Sequence, residues 1–178
     1  SYDDDALELI RKRWKNVRIM ATSPLPAPGS RDTAEMDMKK IAGGMLVQQR
    51  DLVSFDPSEW QVAAGPKPDD ATLTQAKLAM IAVKHLKSNA VCLVRENMLV
   101  GGGMGQVDRM NACKLAVERA AERAQGAIAG SDAFFPFRDG PDLLIGSGVK
   151  TIVQPGGSKR DDETIAACND ADVKLLFT

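Results

Sequence analysis

The chain has few of the residues that build metal centres and disulfide frameworks. Its 178 residues include one histidine, His85, and three cysteines, Cys92, Cys113 and Cys168, which lie far apart. Scattered cysteines in an odd number do not predict a disulfide scaffold, and the sequence has no CxxC pair for structural zinc. We therefore predict reduced cysteines in a cytoplasmic protein that binds no zinc.

The sequence also has few aromatic residues, almost no net charge and no long apolar run. Aromatic side chains make up 4% of the sequence, and the formal net charge is -1 at pH 7. A chain so close to neutral has no basic field to attract nucleic acid or an anionic membrane surface. No apolar stretch approaches the length of a membrane span, and the charged start is not that of a signal peptide. We expect neither nucleic acid nor membrane as a partner.

The remaining composition is that of a soluble globular protein, with 44% hydrophobic and 26% charged residues. From Asp69 or Asp70, either of which can cap a helix, the pattern reads helix, hairpin, helix, strand, helix, strand. This order predicts an α/β domain with a mixed sheet over residues 69–178. Residues 1–68 are expected to form an N-terminal extension or linking subdomain.

Local signals within residues 1–68 predict a few elements. Acidic residues followed by basic ones predict a helix near the start. Val17 to Met20 reads as a strand, and two more strands are expected to meet near Gly43 and Gly44. The proline-rich stretch 23–30 predicts a loop, and residues 57–68 are read mostly as a connection.

Two short motifs each have a functional and a purely structural interpretation. Lys87-Ser88-Asn89 lies at a helix-to-strand junction, where small polar residues commonly end a helix. Gly101-Gly102-Gly103-Met104-Gly105-Gln106 could let the backbone approach a ligand, or could form a tight turn between a strand and a helix. Its spacing matches neither GxGxxG nor GxxxxGK[ST], so the glycines alone identify no nucleotide site.

Two later motifs leave the same choice open. Ser131 to Asp139 contains three of the five phenylalanines, together with a proline. Aromatic side chains on such a loop suit a flat ligand, but they equally suit a loop that plugs the core. Gln154-Pro155-Gly156-Gly157-Ser158 reads either as an anion-binding nest or as the start of a capped helix.

Together with Lys39 to Asp51, these four motifs resemble, in order and spacing, the transformylase half of the AICAR transformylase/IMP cyclohydrolase family. The resemblance covers nearly the whole chain and is strongest to bacterial members. It implies the second of two cytidine-deaminase-like subdomains, a three-layer α/β/α fold with a mixed sheet and without the deaminases' zinc ligands. It also implies a cytosolic homodimer with active sites between subunits.

The family transfers the formyl group of 10-formyltetrahydrofolate to the amino group of AICAR in purine biosynthesis. A separate domain, absent here, then acts as IMP cyclohydrolase. The attacking amine is weak because its lone pair is delocalised into the ring and carboxamide. A formyltransferase site must therefore hold both substrates in contact, stabilise charge on the formyl oxygen and move a proton.

The resemblance assigns roles to individual residues. Asn89 matches the family's active-site asparagine, and Phe134 matches its aromatic contact to the AICAR ring. Asp139 matches an aspartate beside the substrates that contacts folate, as a carboxylate would contact the amidine edge of a pterin. The positions that match the folate pocket are Arg109, Met110, Pro136, Phe137 and Asp139. Ser88 and Asp132 match positions near a structural potassium ion, although Leu86 and Ala90 leave fewer polar groups around it.

The family's proton-transferring Lys-His pair belongs to the first subdomain, and Lys84-His85 is not that pair. A family segment with an arginine and a histidine that help bind AICAR is expected beyond Phe177-Thr178. We therefore predict that the chain alone is inactive as a formyltransferase. Two alternatives remain at this stage: a folate-binding module without catalysis, and a nucleotide- or phosphate-binding α/β module that uses the Gly101 motif.

Overall fold

A computed structural model describes residues 2–21, 36–52 and 54–178 of the chain. The chain divides into two compact units, Ser1–Val53 and Ser54–Thr178. The boundary expected from the sequence, between residues 68 and 69, falls inside the second unit. The difference arises because part of the stretch read as a connection joins the sheet of that unit.

The first unit contains one helix and one hairpin, α1 (Asp4–Arg13), β1 (Met36–Ile41) and β2 (Gly44–Gln49). Acidic residues in the first turn of α1 and basic residues in its last turn complement the helix dipole. β1 and β2 pair antiparallel, as predicted, and Gly43 in the turn has a φ of 79°. The strand predicted at Val17 to Met20 is wrong, because these residues have no regular structure. The predicted loop at residues 23–30 lies outside the described residues.

The second unit contains six strands, four helices and two short 3-10 helices. Its strands are β3 (Gln61–Ala64), β4 (Val91–Arg95), β5 (Met98–Gly103), β6 (Ile128–Ser131), β7 (Thr151–Gln154) and β8 (Lys174–Phe177). Its helices are α2 (Asp70–Lys84), α3 (Arg109–Ala120), α4 (Asp139–Gly146) and α5 (Asp161–Asp170). The 3-10 helices are Pro57–Glu59 and Ala121–Ala124.

The six strands form one mixed sheet in the order β3-β8-β7-β6-β4-β5. β6, β7 and β8 run parallel, β3 is antiparallel to β8, and β4 is antiparallel to both β6 and β5. Val91 at the start of β4 pairs with Gly103 at the end of β5 and with Ser131 at the end of β6. The ends of β5 to β8 therefore lie along the edge of the sheet at which β4 begins.

Helices cover both faces of this sheet. One buried cluster joins α2 to residues such as Cys92 and Val94 of β4, and the other joins α3, α4 and α5 to Val91 and Leu93 of the same strand. The alternation along β4 follows from the two-residue period of a strand. The predicted α/β architecture with a mixed sheet is confirmed.

The helices begin where the sequence supplies caps. Asp69 Oδ1 accepts a hydrogen bond from Thr72 N at 2.8 Å, and Asp108 Oδ1 accepts one from Asn111 N at 2.6 Å. Hydrogen bonds from Thr72 lower the pKa of Asp69 below its ordinary value. Ala76, Met80 and Val83 of α2 are buried, and the helix packs against β4, β6 and β7. No helix in the described part of the chain is long and apolar enough to cross a membrane.

Candidate functional site

The segments that carry the sequence motifs meet at one edge of the sheet in the second unit. They are the connection from α2 to β4, the end of β5, and the loops that follow β6 and β7. Hydrogen bonds join them, among others from Asn89 to Gln106, from Ala90 to Asp132, and from Phe135 to the Gln154 side chain. Loops that converge in this way at the carboxyl ends of strands commonly form the ligand crevice of an α/β fold.

Asn89 is half-buried between α2 and β4. Its backbone N–H and its Nδ2 both donate to the carbonyl oxygen of Gln106, at 3.3 and 3.0 Å, and Gln106 N donates back to the Asn89 carbonyl at 3.3 Å. The Ser88-Asn89 peptide bond is cis. The contact with Gln106 sets the orientation of the amide. Gln106 belongs to a motif seen in the sequence, but nothing in the pattern indicated that its carbonyl holds Asn89.

Arg109 and Asp132 form a buried ion pair beside Asn89. The two side chains are 8% and 13% exposed, and Arg109 Nη1 donates to Asp132 Oδ1 and to the carbonyl oxygen of Ala90. Asp132 Oδ1 also accepts from Ala90 N at 2.9 Å. The pair thus holds both backbone polar groups of the residue that follows Asn89.

The surroundings of Asp132 favour its ionised form. Burial by itself raises the pKa of this carboxyl, but hydrogen bonds from Ser88, Arg109 and the Ala90 N–H, together with the charge of Arg109, outweigh burial and lower the pKa below its ordinary value. Asp132 is therefore a fixed negative charge at neutral pH, not a group poised to exchange a proton.

Gly101 to Gly103 lie within β5 and not in the turn that the sequence suggested. A Cβ on Gly101 would collide with the carbonyl oxygen of Ala116, and one on Gly103 with that of Ala112. These two glycines let α3 pack directly against the strand. Close helix packing accounts for them without a ligand.

The aromatic loop, residues 132–138, combines the two interpretations that the sequence left open. Phe135 is 1% exposed and packs into the core, where a Cβ on Gly140 would lie 2.8 Å from its Cδ1. Phe134 and Phe137 are 40% and 50% exposed. The buried ring anchors the loop, and the two exposed rings on either side of it are accessible to a ligand.

Further groups surround the aromatic loop. The guanidinium carbon of Arg160 lies 4.8 Å from the centre of the Phe137 ring, a cation–π contact that the sequence did not predict. Asp139 is exposed at the start of α4, and its Oδ1 accepts from Gly140 N at 2.8 Å. Pro136 is exposed, and Met110 is half-buried in the first turn of α3. These positions lie on segments that start from the same edge of the sheet.

The loop after β7 is closed by its own side chains. Asp161 Oδ2 accepts from Gly157 N at 2.8 Å, and Ser158 Oγ accepts from Arg160 N at 3.1 Å. The first turn of α5 is Asp161-Asp162-Glu163. The N–H groups of Gly157 and Arg160 are therefore already bound, and the three acidic residues would repel an anion. This motif is better described as a helix start than as an anion nest.

In the described part of the chain, no three histidine, cysteine or acidic side chains are grouped as metal ligands. His85 caps the end of α2 and is exposed. Burial raises the pKa of each of the three cysteines to about 12, and none of them is in a disulfide.

Two solved structures align weakly with the chain. RibD from Acinetobacter baumannii (form 2) is 19% identical, covers 57% of this chain and 32% of its own, and has a TM-score of 0.39. A diaminohydroxyphosphoribosylaminopyrimidine deaminase/5-amino-6-(5-phosphoribosylamino)uracil reductase from Thermotoga maritima is 17% identical, covers 57% and 33%, and has a TM-score of 0.38.

Sequence comparisons are more informative. Residues 1–119 match the model of the AICARFT/IMPCHase bienzyme family. The bifunctional purine biosynthesis protein PurH of Cutibacterium acnes is 45% identical over 180 residues, which cover 99% of this chain and 34% of PurH. The chain thus spans about a third of the length of this relative. With the family model matched over most of its residues, the chain belongs to the AICARFT/IMPCHase bienzyme family.

Proposed function

We propose that the chain forms part of an AICAR formyltransferase of purine biosynthesis. In this proposal it binds 10-formyltetrahydrofolate and AICAR and takes part in transfer of the formyl group to the AICAR amine. The observation that carries the proposal is the convergence of Asn89, the Arg109–Asp132 pair and the exposed rings of Phe134 and Phe137 at one edge of the sheet. Membership of the family supplies the reaction.

Asn89 is the proposed catalytic residue. A side-chain amide carries two N–H donors and one carbonyl acceptor, and Gln106 takes one of those donors. The second N–H would donate to the formyl oxygen as negative charge develops there, and the carbonyl would orient the attacking amine. An amide held by a backbone carbonyl can donate to the formyl oxygen and orient the amine without itself ionising.

The aromatic loop would bind the two flat heterocycles. Phe134 would contact the AICAR ring, while Pro136 and Phe137 would form the folate wall with Met110. Asp139 would accept hydrogen bonds from the pterin edge. Arg109 lines this region through its position at the start of α3, but its Nη1 is engaged by Ala90 and Asp132. Its proposed part is therefore to shape the pocket.

The resemblance implies a potassium ion near Ser88 and Asp132, and this site stays a proposal. Asp132 Oδ1 already accepts from Arg109 and from Ala90 N, and the Ser88 side chain is hydrogen-bonded to the same carboxyl. Asp132 Oδ1 is therefore already occupied by protein groups, and no step of the proposed reaction is assigned to potassium.

The proposed setting is a larger cytoplasmic enzyme. By the assembled enzyme we mean this chain combined with the parts of the family protein that it does not contain. We propose that this enzyme is a homodimer with active sites between subunits and that residues 69–178 adopt the cytidine-deaminase-like fold without zinc. The Lys-His pair of the first subdomain would transfer the proton, so the chain alone would be inactive.

The nucleotide-binding alternative loses its main support. It depended on a glycine-rich loop free to cradle phosphate, whereas Gly101 and Gly103 are buried against α3. The folate-binding module without catalysis differs from the proposal only in its activity.

A formyl-transfer assay with AICAR and 10-formyltetrahydrofolate tests the proposal. The chain alone should show no turnover, whereas the assembled enzyme should be active. In the assembled enzyme, Asp139→Asn should weaken folate binding by about 1–3 kcal/mol, the usual scale for a lost charged hydrogen bond. Asp162→Asn is the matched control, because Asp162 is also an exposed aspartate in the first turn of a helix. Equal effects of the two substitutions, or turnover by the chain alone, would contradict the proposal.

A further inference from the structure

Gln154 is a buried glutamine at the end of β7, at the edge of the sheet where the motif-carrying segments meet. It is 0% exposed, and its Oε1 accepts a hydrogen bond from Phe135 N at 2.7 Å. This bond fixes which end of the amide is oxygen, since a backbone N–H needs an acceptor. Nε2, at the other end, is buried and has no hydrogen-bond partner among the described residues.

The buried amide is costly at this position. A methionine would fill a similar volume without taking an unpaired NH₂ group out of water. The hydrogen bond from Oε1 to Phe135 is the contact that offsets this cost. The side-chain oxygen is therefore the part of Gln154 that requires an amide at this position, and this oxygen binds the aromatic loop through Phe135 N.

The contact falls where the loop has left the sheet. β6 ends at Ser131, and Asp132 N still donates to the Ala90 carbonyl at 3.2 Å. Within the described contacts of the loop, the next backbone N–H to be bound is that of Phe135, and it is bound by Gln154. Gln154 thus holds the half of the loop that carries the exposed rings.

Phe135 is fixed from two directions. Gln154 holds its N–H, and the absence of a side chain at Gly140 makes room for its buried ring. The hydrogen bond holds the backbone of Phe135, and the space beside Gly140 holds its ring in the core. Phe134 precedes it directly, and Phe137 follows two residues later, so the positions of both exposed rings depend on this anchor.

We infer that Gln154 is a positioning residue for the proposed ligand site. By holding the Phe135 amide, it fixes where Phe134 and Phe137 present their rings to a flat ligand. The role of Gln154 in ligand binding rests on the proposed function. Its hydrogen bond to Phe135, which fixes the aromatic loop, does not.

The hold on the loop is tested on the 178-residue chain. A scalar coupling across the hydrogen bond, between the Phe135 amide nitrogen and the Gln154 side-chain carbonyl carbon, should be detected by NMR in the wild type. Gln154→Met should accelerate hydrogen exchange of the Phe135 amide by at least about tenfold, while the amides of Ile152 and Val153 stay protected. Gln61→Met, at an exposed glutamine of the same sheet, should leave the Phe135 amide unchanged.

Gln154→Glu, with its carboxyl kept neutral by burial, retains an acceptor oxygen at the same distance and should preserve most of the protection of the Phe135 amide. Absence of the coupling in the wild type, or unchanged Phe135 exchange in Gln154→Met, would overturn the inference. The coupling is measured on the unmodified chain, so the test does not depend on whether the methionine variant folds.

The positioning role is tested in the assembled enzyme. Displaced aromatic walls weaken ground-state and transition-state binding alike, so Gln154→Met should raise KM for 10-formyltetrahydrofolate about tenfold with a smaller change in kcat. Gln154→Glu should restore KM. A merely structural defect would lower the amount of active enzyme and leave KM unchanged, which would overturn the positioning role. If the wild-type assembled enzyme transfers no formyl group, the proposed function fails, and the NMR results alone decide whether Gln154 holds the loop.

Discussion

Arg109 uses a single atom, Nη1, to bind both the carboxylate of Asp132 and the carbonyl oxygen of Ala90. Asp132 in turn accepts from Ala90 N, so one ion pair holds both backbone polar groups of the residue next to Asn89. The pair joins the first turn of α3 to the loop after β6. The position of the proposed catalytic amide therefore depends on two side chains that the proposed chemistry does not ionise.

Arg109→Met should destabilise the second unit by about 3 kcal/mol, because it leaves Asp132 buried without its cation. Urea denaturation followed by circular dichroism measures this change. The control is Arg138→Met, which removes one partner of the exposed pair between Arg138 and Asp142. That pair has side chains 48% and 46% exposed. Its loss should cost less than about 1 kcal/mol, and equal losses in the two variants would show that the Arg109 pair contributes no more than a surface pair.

The stability of the chain should also depend on the ionisation of Asp132. Its pKa in the folded chain is lowered from the ordinary value of an aspartate, so the ionised carboxyl stabilises the fold at pH values above its unfolded pKa. This contribution is lost as the pH falls through the lowered pKa. Asp132→Asn should therefore lose less stability than the wild type between pH 5 and about pH 2 in denaturation experiments. If the free energies of unfolding of the two proteins changed in parallel with pH, the ionisation of Asp132 would not contribute to stability.

Gly103→Ala should destabilise the second unit by about 3 kcal/mol, because the new methyl group meets the fixed carbonyl oxygen of Ala112. Gly146→Ala provides a matched control. Gly146 is the last residue of α4, and a Cβ there would meet no atom within 4 Å. Alanine at this helical position should stabilise slightly, by about 0.5–1 kcal/mol. Thermal or urea unfolding compares the two, and a tolerated Gly103→Ala would mean that α3 does not pack so closely on β5.

Asn89→Ala should lower kcat of the assembled enzyme by about 100-fold, the scale for losing a donor that stabilises developing negative charge. Folate binding should change far less, because the interaction is strongest in the transition state. Asn16→Ala, at an exposed asparagine of the first unit, serves as the control. A higher Michaelis constant with unchanged kcat would make Asn89 a substrate-positioning residue instead.

The three cysteines should be unreactive in the folded chain. Burial raises the pKa of each to about 12, so almost no thiolate is present at pH 8. Mass spectrometry after iodoacetamide treatment should show little labelling of the native chain and labelling of all three cysteines in urea. Rapid native labelling of any one would show that its part of the core opens.

Strong local signals made much of the second unit predictable. α2 and α3 combine capping aspartates with apolar stripes, and the β4–β5 hairpin has Glu96 and Asn97 at its turn, with φ values of 53° and 59°. β6 was missed because Ile128–Ser131 contains alanine and glycine, which carry little strand preference. α4 was missed because glycine and proline interrupt its short sequence, and β3 because it forms through pairing with the distant β8.

The site was predictable as a set of segments but not in its internal contacts. The four motifs marked the segments that hydrogen bonds join in the structure. The link between Arg109 and Asp132 depends on the register of β4 and β6, which no local pattern specifies. For the same reason, the sequence did not reveal that Phe135 faces inward while its aromatic neighbours face outward.

The bond between Ala90 and Asp132 joins residues that are 42 positions apart in the chain. It requires β6 to lie beside β4, in the interior of the sheet, where β6 has one antiparallel and one parallel neighbour. Contacts between distant segments carry a high loop-closure entropy and are made late, after local helices and hairpins. During refolding, helical signal should therefore return before Asn89 reaches its final geometry, and ligand-binding capacity should follow the slowest step of sheet assembly.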